Sequence, residues 1–146
     1  WHELQASIRE IIKMKKLRGY IYSREFMGER VPQAVQNLVI RDYCAKNSIQ
    51  YLLSSTEYAM SDSSLMLSKV LRDLSGINGL VAYSLFQLPK NDKDRRRVYK
   101  TILDSKKELH FAIENINISN LSDIATIENI WKIKKTLPNC LERKSL

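Results

Sequence analysis

The sequence predicts an α/β protein: a mostly parallel four-stranded sheet in a three-layer arrangement, with an additional helix at each end. Three observations predict it. Short apolar runs recur at Gly19–Tyr22, Ile49–Leu53, Leu80–Tyr83 and Leu109–Ile113, stretches of helical spacing separate them, and each run stops abruptly at polar residues. Such runs suit strands buried on both faces, as a parallel sheet requires. Right-handed crossovers between them then place helices on both sides.

Residues 3–17 set Leu4, Ile8, Ile11, Ile12 and Lys15 at helical spacing, which predicts an amphipathic helix leading into the first strand. Gly19–Tyr22 follows, with a loop at Met27-Gly28-Glu29-Arg30. Pro32 suits the first turn of a helix in which Val35, Leu38, Val39, Asp42 and Tyr43 form the inward stripe, up to Asn47-Ser48. Ile49–Leu53 is the second strand. Ser61-Asp62-Ser63-Ser64 offers caps for a helix carrying Leu65, Leu67, Val70, Leu71 and Leu74, which Gly76 ends before Leu80–Tyr83. Asn91-Asp92 caps the next helix, carrying Val98, Tyr99, Ile102 and Leu103, ahead of the fourth strand. After Asn115 the chain reads as turns until a final helix over 121–137, with Ile124, Ile127, Ile130, Trp131 and Ile133, stopped by Pro138. No linker divides the chain, so residues 1–146 form one domain with its core at about 18–116.

With 146 residues and 44% apolar content, the chain can bury a real core. The net charge, 24 − 16 = +8, favours a polyanionic partner, yet the cations are scattered and only Arg95-Arg96-Arg97 is dense. Asp92 and Asp94 precede that cluster, which therefore reads first as a solvated helix face. No run approaches the ~20 apolar residues of a membrane span, and Trp1-His2-Glu3 does not open a signal peptide, so a cytoplasmic protein is expected. Cys44 and Cys140 lack a framework or zinc spacing and are expected as reduced thiols. No Gly-x-Gly-x-x-Gly or Walker-type loop is present; neither a metal nor a cofactor is expected.

Ligands of open α/β sheets bind outside the carboxyl ends of the strands, which makes the polar tails of the four runs the candidate site. Arg24 and Glu25 are ligand-binding candidates just beyond the first strand: Arg24 can clamp a phosphate or carboxylate with help from Arg30, or can pair internally with a neighbouring glutamate. Glu57 and Glu114 end different strands and are candidate acid and base groups for glycosidic chemistry, or caps and ion-pair partners. Tyr22, Ser23, Tyr83, Ser84, Gln87 and Asn115 add hydroxyls and amides to the same edge, with core packing the alternative for the two tyrosines. Ser23 as a nucleophile lacks a well-placed base, since His2 is terminal and His110 begins its strand. Trp131 with Ile127, Ile130 and Ile133 reads as a buried helix face before a docking strip.

From Tyr20 to about Glu114 the order of elements resembles the catalytic domain of serine recombinases, the resolvase and invertase group. Tyr20-Ile21-Tyr22-Ser23-Arg24, Gln36 and Phe86-Gln87-Leu88-Pro89-Lys90 stand at that family's motif positions. Tyr22 occupies the place of the first arginine, Ser23 lies one residue before the nucleophile position held by Arg24, Gln87 and Lys90 replace a pair of arginines, and Ser63 replaces another. A one-residue slip along a strand reverses the face a side chain presents, and phosphoryl transfer needs its cations, so recombination is not expected. A closer match is to the sporadic carbohydrate cluster proteins, a small bacterial family. Its blocks are similar to Arg18-Gly19-Tyr20-Ile21-Tyr22-Ser23-Arg24-Glu25, Arg30-Val31-Pro32-Gln33 with Gln36-Asn37, Glu57-Tyr58-Ala59-Met60, and Tyr83-Ser84-Leu85-Phe86-Gln87-Leu88-Pro89. That resemblance implies an accessory protein or small enzyme of surface-polysaccharide biosynthesis. Its partners would be a sugar nucleotide or related anion, a polysaccharide-biosynthesis enzyme, or a second copy. The alternative is an inactive recombinase-like module for DNA binding or protein assembly.

Overall fold

The computed structural model describes residues 1–23, 30–57, 69, 71, 72 and 75–144, with the backbone alone at 10–13, 57 and 135–144. Helix α1 (His2–Lys13) leads into β1 (Lys15–Tyr22), and α2 (Gln33–Lys46), β2 (Ile49–Glu57) and β3 (Gly79–Ala82) follow. Next come α3 (Asp92–Asp104), β4 (Glu108–Phe111), β5 (Ile116–Ile118) and α4 (Leu121–Lys144). Of the helix expected over Leu65–Leu74, Lys69, Leu71 and Arg72 are helical; its other residues and the loop at Met27, Gly28 and Glu29 lie outside the described residues.

The strands lie in the order β2-β1-β3-β4-β5. The first four are parallel, so their carboxyl ends share one edge, and β5 runs antiparallel to β4. The sheet therefore has five strands rather than four. Ile116-Asn117-Ile118 is too short for periodicity to detect, but it alternates correctly, with Ile118 fully buried opposite Leu109. Asn115, at φ 54°, takes the left-handed conformation that turns β4 into it.

Alternation along the strands feeds two cores. Tyr20, Tyr22, Leu80, Ala82, Leu109 and Phe111 pack with Val98, Tyr99 and Ile102 of α3 and Ile127 and Trp131 of α4. Leu17, Ile21, Ile49 and Val81 pack on the other face with Ile40, Tyr43 and Cys44 of α2. The buried stripe of α2 is Gln36, Ile40, Tyr43 and Cys44, whereas Val35 and Leu38 are 42% and 68% exposed. The apolar stripe expected from sequence was displaced because a polar residue, Gln36, occupies the inward row.

Element ends moved for local reasons. The first helix stops at Lys13 rather than near 17, because Lys15 and Lys16 pair with Ile49 and Gln50 as strand. Lys15 also reaches Glu108 at 2.8 Å. Ser54–Glu57 extend β2 beyond Leu53 along the end of β1. The last helix continues through Pro138 to Lys144, where the missing proline N–H removes one helical hydrogen bond. Its start is fixed reciprocally: Asn120 Oδ1 accepts from the Ser122 and Asp123 N–H groups, and Asp123 Oδ2 accepts from Asn120 N–H. Asn91 caps α3 as expected, accepting from Lys93 and Asp94.

The three consecutive arginines do not share a role. Arg95 is 2% exposed and joins α3 to α4: Nε and Nη2 bind the two oxygens of Glu128 at 2.7 and 2.8 Å, Nη2 also meets Asp92, and Nη1 donates to the Pro89 and Lys90 carbonyls. Its guanidinium stacks 4.5 Å from the Trp131 ring centre, and Tyr99 donates to Glu128 at 2.7 Å. Hydrogen bonds from Arg95 hold the Glu128 carboxyl below its ordinary range. On the opposite face His110 is buried with Nδ1 2.6 Å from the Tyr43 hydroxyl, and burial keeps its imidazole toward the neutral form. Burial likewise pushes the Tyr43 phenol up to about 12 and the Cys44 thiol up to about 11, both inert at neutral pH.

Gly79 opens β3 at φ 156°, where a Cβ would sit 1.9 Å from the Glu108 carbonyl oxygen, a backbone atom that cannot swing aside. Gly76 has φ 80° but nothing within 4 Å. In urea denaturation, Gly79→Ala should cost about 3 kcal/mol and Gly76→Ala about 1 kcal/mol; equal losses would contradict the β3–β4 approach. Arg95→Ala strands the Glu128 carboxylate and should cost about 3 kcal/mol, while Arg96→Ala and Arg97→Ala should stay within about 0.5 kcal/mol in the same assay.

Candidate functional site

The carboxyl edge of the sheet is organised by two glutamine side chains. Gln36 points from the first turns of α2 to the end of β1 and is fully buried. Its Oε1 accepts from the Tyr22 N–H at 2.9 Å, and its Nε2 donates to the Tyr22 and Val31 carbonyls, each at 2.8 Å. Gln87, 1% exposed, donates through Nε2 to Gln36 Oε1 at 2.7 Å, and its Oε1 accepts from the Tyr83 and Ser84 N–H groups. The Tyr22 hydroxyl donates to the Gln87 carbonyl. The amide groups of both glutamines therefore bind backbone and each other.

Ser84 and Glu114 form the adjoining unit. Ser84 caps the short 3₁₀ turn Leu85–Gln87, with its Oγ accepting from Phe86 N–H and Gln87 closing the reciprocal bond. The same Oγ donates to Glu114 Oε2 at 2.9 Å, and Leu85 N–H donates to Oε1 at 2.7 Å. Burial pushes the Glu114 carboxyl up from its ordinary value, and the Leu85 and Ser84 bonds oppose that shift. A raised carboxyl suits proton donation, while these bonds bind the ionised form and cap the turn.

Of the residues singled out from sequence, Tyr83, Ser84, Gln87 and Glu114 are brought together here. Ser23 follows β1, half-buried, and Arg30 is exposed just before Val31. Asn115 lies exposed in the β4–β5 turn. Arg24 and Glu25 lie outside the described residues. Glu57 ends the edge strand, in register with Tyr22, and its side chain is likewise outside them. Strands β1 and β3 lie between β2 and β4, so the strands carrying Glu57 and leading to Glu114 are roughly 14 Å apart. Gln36 is the participant that residue-by-residue reading passed over, while the Tyr22 hydroxyl, expected at this edge, is spent on the Gln87 carbonyl. The readable signal was the Ser84-x-x-Gln87 capping box. Among the described residues no group of three or more His, Cys, Asp or Glu could hold a metal.

Gln36→Leu keeps the volume but leaves the buried Tyr22 N–H and two carbonyls without partners. It should cost about 3 kcal/mol or more in chemical denaturation, whereas the exposed Asn115→Gly should cost under about 1 kcal/mol; a mild Gln36→Leu would disprove the hub.

No family model and no curated protein matches this sequence. Solved structures do. The chain is similar to the N-terminal catalytic domain of TP901-1 integrase, at 19% identity and a TM-score of 0.57 over 87% of this chain and 97% of that one. It is also similar to a resolvase family site-specific recombinase from Streptococcus pneumoniae, at 12% identity and a TM-score of 0.58 over 89% and 99%. The fold is resolvase-like.

Proposed function

We propose that this chain is a recombinase-like module without strand-transfer chemistry, which binds nucleic-acid phosphate through α3. One observation carries the reading. Lys93, Arg96, Arg97 and Lys100 recur at i, i+3, i+4 and i+7 and are all exposed, opposite the buried row Arg95, Val98, Tyr99 and Ile102. Arg97 approaches Asp94 only at 3.8 Å, and Lys93, Arg96 and Lys100 have no ion-pair partner among the described residues. Such a stripe follows a phosphate backbone without reading bases. The absence of strand transfer is supported at the carboxyl edge. Tyr22 and Gln87 replace expected arginines, and both are buried in hydrogen bonds to protein groups.

A second reading places the chain in cytoplasmic surface-carbohydrate biosynthesis, with a sugar nucleotide at the carboxyl edge held by Arg24 and Arg30. Here Glu57 and Glu114 would be the acid and base groups, and Ser23, Tyr83, Ser84, Gln87 and Asn115 would orient polar substituents. The four sequence blocks favour it, as does the exposure of Arg30 beside the Gln36 hub. A polysaccharide-biosynthesis enzyme or a second copy of the chain would be its protein partner.

Fluorescence anisotropy with duplex DNA across a salt series tests the first reading. Affinity should fall with a log–log slope of about −3 to −4, vary little with DNA sequence, and lose nearly all that slope when all four cations become glutamine. No duplex binding at low salt would overturn it. In that case a saturable thermal shift with UDP-glucose, abolished by Arg30→Ala, would establish the second reading.

A further inference from the structure

Another place for a ligand lies away from both the carboxyl edge and α3, on the outer flank of the sheet. Between α2 and the edge strand β2 is an open cavity of 440 Å³ lined by Asn37, Arg41, Tyr51, Leu52, Leu53 and Ser54. Its size falls within the usual range for small-molecule sites.

A β-bulge builds it. The register passes from Arg18↔Leu52 to Tyr20↔Ser55, so Leu53 and Ser54 together stand opposite Gly19. Leu53 is turned outward and is 88% exposed. Gly19 is necessary: a Cβ there would lie 2.5 Å from the Tyr51 hydroxyl and 2.9 Å from Ser54 Cβ, so only glycine lets the Tyr51 ring lie across β1. The Tyr51 hydroxyl then donates to Asn37 Oδ1 at 2.6 Å, which fixes the amide and leaves its Nδ2 donor over. Arg41 stands one turn further along α2, exposed and without a carboxylate partner among the described residues.

The lining thus offers a guanidinium and an amide donor from α2, a Tyr51–Ser54 hydroxyl pair bonded to each other, and two leucines. Surplus donors beside an unpaired cation select an oxyanion. An extended peptide is the weaker candidate, because the bulge breaks the regular ladder that an added strand would need.

We propose that this cavity binds a small hydroxylated molecule, of about monosaccharide size, through its phosphate or carboxylate. Arg41 and Asn37 hold the oxyanion, a remaining Ser54 oxygen lone pair accepts from a ligand hydroxyl, and Leu52 and Leu53 flank the body of the ligand. The proposal stands apart from both readings of the carboxyl edge and of α3.

Amide NMR titration of the intact chain with glucose 6-phosphate, glucuronate and inorganic phosphate tests it. Saturable shifts centred on Asn37, Arg41 and Leu52–Ser54 are expected with glucose 6-phosphate, glucuronate or both, and the arm that saturates identifies the oxyanion. Arg41→Gln should weaken binding about tenfold or more, a charge-assisted contact being lost. Leu53→Asp, at an exposed position that leaves the core intact, should abolish it by like-charge repulsion, and Lys46→Gln should change nothing. The proposal is overturned if neither sugar acid gives saturable shifts or if the shifts map elsewhere. It also fails if Arg41→Gln binds as tightly as the parent chain, or if inorganic phosphate alone binds as tightly as glucose 6-phosphate.

Discussion

The need to satisfy backbone groups at the buried end of β1 is the constraint on which the rest of the carboxyl edge depends. Tyr22 is 5% exposed, and there its N–H and C=O must find partners in protein. Gln36 supplies both, and so locks the rotation of α2 about its axis. Once its oxygen faces Tyr22, it can also accept from Gln87, which fixes the 3₁₀ turn after β3. That turn presents Ser84 and the Leu85 N–H to Glu114, beyond β4. One side chain thereby propagates order across three parallel strand ends. In a low-dielectric setting such a network is strong only because every amide atom is used, and its replacement by a partly satisfied one would be worse than an apolar core.

The same constraint explains what was legible in the sequence. Strands whose apolar residues are consecutive, such as Leu80-Val81-Ala82, announce themselves, and Asn91 marks its helix by a local bond that any context preserves. Gln36 did the opposite. It put an amide in the inward row of α2 and made Val35 and Leu38, both more apolar, look like core. Ile116–Ile118 was missed because three residues contain a single period of alternation, and only the partner strand distinguishes that from a turn. Lys15 and Lys16 are strand because a parallel neighbour binds their backbone, a nonlocal fact that side-chain type contradicts. Among the site residues, type was readable and partnership was not: Ser84 and Glu114 were placed on the right edge, while their mutual bond depends on the 3₁₀ turn.

Charge shows the same division between composition and location. Arg95, Arg96 and Arg97 contribute equally to the net +8, but helical geometry turns the first into the core and the others to solvent. Arg95 is retained inside because it is neutralised twice, by Glu128 and Asp92, and its flat guanidinium fills the space over Trp131. A lysine has neither the fork nor the plane for that position. With Arg95 those two carboxylates sum to −1, so the positive field outside α3 rests on its exposed cations alone.

A resolvase-like fold does not determine what the chain does, because function resides in sites placed upon a scaffold. Among the described residues at the edge where open α/β sheets ordinarily receive ligands, Tyr22, Gln36, Gln87, Ser84 and Glu114 hold the scaffold's own turns. Groups so fully engaged cannot meet a substrate without first abandoning backbone partners, at a cost of about 1–3 kcal/mol for each group left bare. Surfaces whose polar groups have surplus capacity carry no such penalty. The α3 cations and the bulged flank of β2 are of that kind, and they lie on opposite faces of the sheet, served by separate cores. Occupancy of one therefore need not disturb the other, so the two proposed anion sites are separable by mutation on a domain whose central edge residues hold its own turns.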